Sequence, residues 1–373
     1  MILNLKSITN LSSFYVIYNS TIKNEYKGIR GISHFIEHLS CKSFDDMLDD
    51  FDKYGIYWNA YTTNSNIIYF ISGIDQYVNK YKYIFLDKLL NINIIKNIEI
   101  ERNIIIEEYT NIFNKQNNSH YLNLYRKLFN NYNSIGDLDD IKNITYNDCV
   151  NYQNKFYKYP SKIINVSKHY NFESNVKFNS YNNIYDINYI NNNNYKYQKS
   201  NNFKYKISII YLSNIIKKDF AYIKIIIFIL SKGLKSPFYN LIRNQKGLIY
   251  YIKCDLDMLS DNSGIIKIST ETNINNVDYL NNEIKFILNN RDIFLTDDRL
   301  ESIKISYKIK SEKMNINRYN NIHKYLVSDE WLIENIINTI NLDKLYDIYD
   351  KYFKYDNFYY SIDKFEFNKK TDS

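Results

Sequence analysis

Proline, glycine and cysteine are scarce: the 373 residues hold two, eight and three of them. Cys41, Cys149 and Cys254 are scattered, odd in number and without Cys-x-x-Cys spacing. That excludes a disulfide framework and points to a reducing compartment. Long apolar runs are missing too. The longest, Ile225–Leu230, is far short of the roughly 20 residues that span a bilayer, so no membrane partner is expected. Blocks of like charge are absent. The formal net charge is +7 and the pI about 8.8, but Lys and Asp/Glu are mixed along the chain. No basic helix with interleaved aromatics offers itself to a phosphate backbone, so nucleic acid is not an expected partner. The start, MILNLKSITN, lacks a basic end followed by an apolar run and a small-residue cleavage site. The expectation is a soluble cytoplasmic protein.

Tyr and Phe are plentiful, at 40 and 21 residues. Together with Ile, Asn and Lys they are residues that AT-rich codons encode, so the Asn- and Lys-rich surface says little about partners. The length allows roughly two domains of about 150–200 residues.

Strand and helix signals alternate in the first third. Phe14–Tyr18 reads as a strand, Ile32–Leu39 as a helix, and Phe44–Tyr54 as a helix stopped by Gly55. Ile56–Thr63 and Ile67–Ser72 read as a hairpin. Helical stretches follow at Asp75–Leu90, Ile94–Lys115 and His120–Asn130. Thr145 with Asp148 resembles a capping box opening a helix to Phe156, and Ser161–Ser167 closes the unit as a strand. The Asn- and Tyr-rich stretch that includes Asn191–Asn194 is the expected linker. The second half repeats the plan. Strands are expected at Tyr205–Leu212, Tyr250–Leu256, Gly264–Thr270 and Phe358–Ile362, and helices at Phe220–Leu230, Ser236–Gln245 and Val277–Leu288. A long helix is expected to start at Thr296-Asp297-Asp298, with acids at its positive end. These patterns predict an α+β protein of two similar domains, residues 1–175 and 204–373, joined by a linker at 176–203. Each domain is expected to be a mostly antiparallel sheet covered by helices.

The run Gly31-Ile32-Ser33-His34-Phe35-Ile36-Glu37-His38 carries chemistry. On a helix, His34 and His38 are four apart and point the same way, with Glu37 beside them. Two imidazoles can hold one zinc ion while a carboxylate takes a proton from its water. Ile32, Phe35, Ile36 and Leu39 fill the other faces, so the helix is expected to be buried. Buried imidazoles and a carboxylate need a reason. A tetrahedral site needs a third ligand. Glu101 and Glu108 lie seven apart, two turns and nearly one face of a helix. One can bind metal while the other orients an imidazole. Glu107 points about 100° away and is expected to be solvated. His120, His169 and His323 belong to no pattern.

The segment GIRGISHFIEHLSCKS resembles the zinc helix of the pitrilysin, insulysin and mitochondrial processing peptidase family. Asn59-Ala60-Tyr61-Thr62 is similar to that family's next strand, and Glu101-Arg102 with Glu108 to its third-ligand helix. Arg243, Gly247, Leu248 and Tyr250 resemble its Arg-x-x-x-Gly-Leu-x-Tyr segment. The resemblance implies that His34, His38 and Glu108 bind zinc, that Glu37 is the general base and that Glu101 supports a ligand. It implies that Asn59 and Ala60 lie on an edge strand pairing with substrate backbone. It also implies that Arg243 and Tyr250 grip the substrate. The implied activity is zinc-dependent endopeptidase cleavage of short or unfolded peptides. The implied assembly is a clamshell of which this chain is one half, working as a homodimer or as a heterodimer with a paralogue. Members that lost the metal motif serve as structural or substrate-handling subunits, which is the alternative function. The interval from His38 to Asn59 is shorter than usual, and the start leaves little room for the family's first hairpin.

Overall fold

The segment LSSFYVIY, rich in β-branched and aromatic residues, forms strand β2 (Leu11–Tyr18) at the centre of one sheet in the computed structural model. The structure describes residues 1–19, 24–63, 65–94, 97–114, 134–179, 205–260, 263–316, 333 and 336–366. They fall into two compact units, one around each of two sheets.

The first sheet also contains β1 (Ile2–Lys6), β3 (Tyr57–Thr62), β4 (Ile67–Ile74) and β5 (Lys162–Ser167). Their order is β1-β5-β2-β4-β3. All pairs are antiparallel except β1 with β5. Strand β1 has no counterpart in the sequence reading. Because β5 lies between β1 and β2, the two do not form a hairpin. The expected hairpin at 56–72 is present as β3 and β4.

Among the described residues, six helices accompany this sheet: α1 (Ile32–Cys41), α2 (Leu48–Tyr54), α3 (Asp75–Leu90), α4 (Glu99–Asn114), α5 (Leu138–Asn143) and α6 (Tyr146–Phe156). Their apolar faces meet Phe14, Val16 and Tyr18 of β2 in one core with Phe35, Ile36, Phe85 and Ile105. Local chemistry sets the ends. Thr145 and Asp148 form the reciprocal capping box of α6. Gly55, in the left-handed conformation, stops α2. Two expectations need adjusting. The helix expected from Phe44 opens as a 3-10 stretch, Lys42–Met47. The helix expected from Ile94 begins at Glu99, where the Asn97 side chain accepts the Glu99 N–H at 3.3 Å. The expected helix His120–Asn130 and the run Asn191–Asn194 lie outside the described residues.

The second sheet holds β6 (Tyr205–Ile215), β7 (Ile252–Ser260), β8 (Ser263–Asn273) and β9 (Tyr359–Glu366) in the order β7-β8-β6-β9. It is antiparallel throughout. Its helices are α7 (Phe220–Ser231), α8 (Val277–Asn289), α9 (Arg291–Phe294), α10 (Asp297–Ile316) and α11 (Leu342–Tyr352). The helix expected at Ser236–Gln245 is a π-helical stretch, Phe238–Gln245. Each unit is therefore an antiparallel-dominated sheet with helices, an α+β architecture. Among the described residues no helix is long and apolar enough to cross a membrane.

Candidate metal centre

Helix α1 starts at Gly31, whose φ of 94° is in the left-handed region. Gly31 has no side chain to cap the helix, so an acceptor must come from elsewhere. Glu25 supplies it: its carboxylate accepts the Gly31 N–H at 2.7 Å and the Ser33 N–H at 3.0 Å. Asp140 holds the preceding turn, accepting from the Gly28 and Arg30 N–H groups at 2.9 and 3.2 Å. Gly136 presses against this start. A Cβ on Gly31 would lie 3.1 Å from Gly136 Cα, and a Cβ on Gly136 would collide with the Gly31 backbone. The helix is thus fixed at its N-terminus by contacts from residues 25 and 135–141.

On α1, Ile32, Phe35, Ile36 and Leu39 are buried in the core. His34, Glu37 and His38 share the remaining side and face α4. His34 Nε2 and His38 Nε2 each lie 3.5 Å from Glu108 Oε2. One donor atom from each of the three residues falls within 4.8 Å of the others. A tetrahedral zinc with bonds of about 2.0–2.1 Å separates its ligand atoms by about 3.4 Å. The two separations to Glu108 therefore already match, and the third is no more than 4.8 Å. Glu101, buried on the same face of α4, lies 3.2 Å from His38 Nδ1. Its other oxygen is 3.4 Å from Lys42 Nζ, an ion pair without a hydrogen bond. Glu107 is exposed.

Electrostatics separates the roles. Burial, joined by the charge of His38, lowers the pKa of His34 to about 4 against the pull of Glu108, so its imidazole is neutral at neutral pH and can offer a lone pair. His34 Nδ1 is buried without a hydrogen-bond partner. Burial also opposes the charge on His38, but Glu108, Glu37 and Glu101 outweigh it and raise its pKa. The hydrogen bond with His38 holds Glu108 below the ordinary carboxylate value. Burial pushes Glu37 up, against His38 and a hydrogen bond from Thr62. Thr62 Oγ1 donates to Glu37 Oε2 at 3.1 Å, and Cys41 Sγ approaches the other oxygen at 3.9 Å. A carboxyl of raised pKa beside a donor cluster is suited to moving protons.

Asn59 and Ala60 lie on β3, at the edge of the sheet next to α1. The Ala60 N–H donates to Asn59 Oδ1 at 2.9 Å. Arg243 sits on the π-helical stretch of the second unit, with its guanidinium 5.2 Å from the Tyr250 ring and 5.8 Å from that of Tyr239. Tyr250 is 79% exposed.

Residues 10–137 match the family model of the insulinase family, peptidase family M16. Over that stretch, about a third of the chain, the sequence is similar to this family. The insulinase-family match contains His34, Glu37, His38, Asn59, Ala60, Glu101 and Glu108, whereas Arg243 and Tyr250 lie beyond it. The chain is 28% identical over 176 residues to the zinc protease PqqE of Helicobacter pylori, covering 43% of this chain and 39% of that protein. The matched stretch is thus about two fifths of that relative's length. Its fold is similar to the crystal structure of a protease from Helicobacter pylori, with a TM-score of 0.76 and 19% identity over 97% of this chain and 96% of that one. It is equally similar in kind to a peptidase M16 inactive domain from Pseudomonas fluorescens, with a TM-score of 0.72 and 12% identity over 97% and 94%.

Glu25 lies outside the motifs, and the motifs gave Thr62 and Arg102 no role. Glu25 was signalled only by the missing cap at Gly31. Thr62, the last residue of the Asn-Ala-Tyr-Thr run, orients Glu37. Arg102 ties α4 in place: it pairs with Glu99 at 3.0 Å, donates to the Ile141 and Ile144 carbonyls, and lies over Phe35 of α1. Of the other histidines, His169 is exposed, and His120 and His323 lie outside the described residues.

Proposed function

We propose that this chain is a zinc-dependent endopeptidase that hydrolyses short or unfolded peptides in an enclosed chamber formed by two chains. The observation that carries the reading is the convergence of His34, His38 and Glu108 donor atoms with Glu37 alongside. Two imidazoles and a carboxylate are a donor set that zinc favours, leaving a fourth position open. Bound there, zinc lowers the pKa of water and polarises a scissile carbonyl.

The chain's own groups do the rest. Glu37 takes a proton on its carboxylate and passes it to the leaving amine. Its burial and raised pKa suit it to holding that proton between the two steps. Thr62 holds Glu37 in place by donating to Oε2. Glu101 accepts from His38 Nδ1, which directs Nε2 towards Glu108. The open edge of β3, with Asn59 and Ala60, pairs with an extended substrate backbone, which favours short or unfolded chains. Arg243 and Tyr250 act from the second chain of a homodimer, or of a heterodimer with a paralogue. There they grip the substrate and stabilise charge developing on the carbonyl oxygen. The three cysteines, none in a disulfide, support a cytoplasmic setting.

The fold shared with an inactive domain favours one other reading, a non-catalytic structural or substrate-handling subunit. Zinc content separates the two. Wild type should carry about one zinc per chain and cleave a quenched-fluorescent peptide pool in a chelator-sensitive way, and His34→Ala should lose both. A folded wild type with neither zinc nor cleavage would leave the subunit reading.

A further inference from the structure

The β3–β4 hairpin fixes which groups of the edge strand face outward. The Thr63 N–H donates to the Asn66 carbonyl at 2.8 Å, so Thr63 and Asn66 form a hydrogen-bonded pair. Such pairs alternate along an antiparallel ladder. With Tyr61 opposite Ile68, Asn59 opposite Phe70 and Tyr57 opposite Ser72, those three β3 residues direct their backbone groups to β4. Trp58, Ala60 and Thr62 therefore direct theirs away from the sheet. The Ala60 N–H bond to the Asn59 side chain agrees with this. Among the described residues, no strand pairs with that edge.

Side chains sort the other way. Thr62 reaches Glu37, and Trp58 packs at 5.5 Å on Phe44, just beyond α1. Trp58, Ala60 and Thr62 thus line the face that carries the donor cluster. Tyr57, Asn59 and Tyr61 line the opposite face. There the Tyr57 and Tyr61 rings flank Phe70 at 5.7 and 6.5 Å. Tyr57 is 58% exposed, a large aromatic surface on an edge strand that leads to Glu37.

From this geometry we infer a substrate-selecting strip. It rests on the proposed pairing of substrate with β3 and adds what that substrate looks like. In a peptide added to the edge, residues directly opposite Tyr57, Asn59 and Tyr61 place their side chains on the aromatic face. In an antiparallel addition these are the non-hydrogen-bonded pairs, whose side chains lie closest. Aromatic and β-branched side chains pair best with a strand tyrosine, and a polar one suits Asn59. The preferred ligand is an extended peptide with an aromatic or β-branched residue at two positions four apart and a polar residue midway. The residues between them face the donor cluster and escape this selection.

The test uses the full-length chain carrying Glu37→Gln, so that peptides bind without turnover, and unstructured fluorescein-labelled peptides followed by anisotropy. The parent peptide has Phe at two positions four apart with Ser midway, and each Phe is replaced in turn by Gly. Each replacement should weaken binding about two- to fivefold. Adding Tyr57→Ser should abolish the effect of one replacement and spare the other. A urea melt checks that Tyr57→Ser folds, and the milder Tyr57→Gln should behave in the same way. Equal binding of all the peptides, or the same discrimination with and without Tyr57, would overturn the strip. Cleavage of the parent peptide by zinc-loaded wild type reports separately on the peptidase reading. Selective binding without cleavage would keep the strip and remove the peptidase, and cleavage without selective binding would keep the peptidase and remove the strip.

Discussion

Replacing Gly136 by alanine should unfold the first unit more readily than the loss of one glycine suggests. Two costs add. Gly136 has a φ of 90°, and an L side chain in left-handed backbone costs about 1–2 kcal/mol. Its Cβ would also meet the Gly31 backbone, the start of the helix that carries His34 and His38. Overpacking of that kind costs about 1–3 kcal/mol, so the total is about 2–5 kcal/mol. Gly28 is the internal control. Its φ is 104°, yet nothing lies within 4 Å of the Cβ it would gain. Gly28→Ala should therefore cost only the backbone share, about 1–2 kcal/mol. Urea melts followed by circular dichroism measure both variants against wild type. Because the Gly136 clash displaces the N-terminal turn of α1, that variant should also bind zinc more weakly, whereas Gly28→Ala should not. Equal destabilisation by the two substitutions would refute the argument, since it would mean that the close approach of Gly31 and Gly136 carries no energy.

Glu101→Gln should weaken zinc binding by about 10- to 100-fold in a chelator competition, because the carboxylate that orients His38 is lost; unchanged affinity would remove Glu101 from the site. Glu37→Gln should keep its zinc and lose about 100- to 10,000-fold in kcat on a peptide substrate, with metal content and turnover measured on the same sample. Mixing an Arg243→Ala chain with a Glu37→Gln chain should restore part of the peptidase activity if Arg243 acts across a homodimer, and a mixture as inactive as its parents would count against that arrangement. In the second unit, Lys351 and Tyr352 hold Asp219 at 2.8 and 2.6 Å and, against burial, lower its pKa below the ordinary 3.8. A depressed folded-state pKa stabilises above the unfolded value and is lost as pH falls through the folded one. Urea melts should therefore show stability lost below about pH 4, with a shallower decline in Asp219→Asn.

What could be read from the sequence was what short spacing determines. His34, Glu37 and His38 lie within one and a half turns. The capping box joins residues three apart, and the hairpin is closed by a local turn. Helix periodicity also placed Glu101 and Glu108 on one face of α4. The illegible parts depend on residues far apart. Strand β1 reads poorly because its partner, β5, is about 160 residues away and its own pattern is short. Glu25 looks like an ordinary acid until the bare N-terminus at Gly31 is seen to need an acceptor. Arg102 stands beside Glu101 in sequence, yet its work is to satisfy the carbonyls of Ile141 and Ile144. Gly136 offers no pattern at all, and its requirement exists only because Gly31 lies against it.

The parallel pairing of β1 with β5 has a consequence for the order of assembly. Ile2–Lys6 runs beside Ile163–Ser167. During synthesis, β1 is made before the other strands of its sheet, and its neighbour β5 is made after them. Strands β2, β3 and β4 can pair at once, but β1 must wait for β5. Closing so long a loop is slow. In the meantime the first strand is an unpaired β segment during synthesis, open to binding by chaperones or to mispairing.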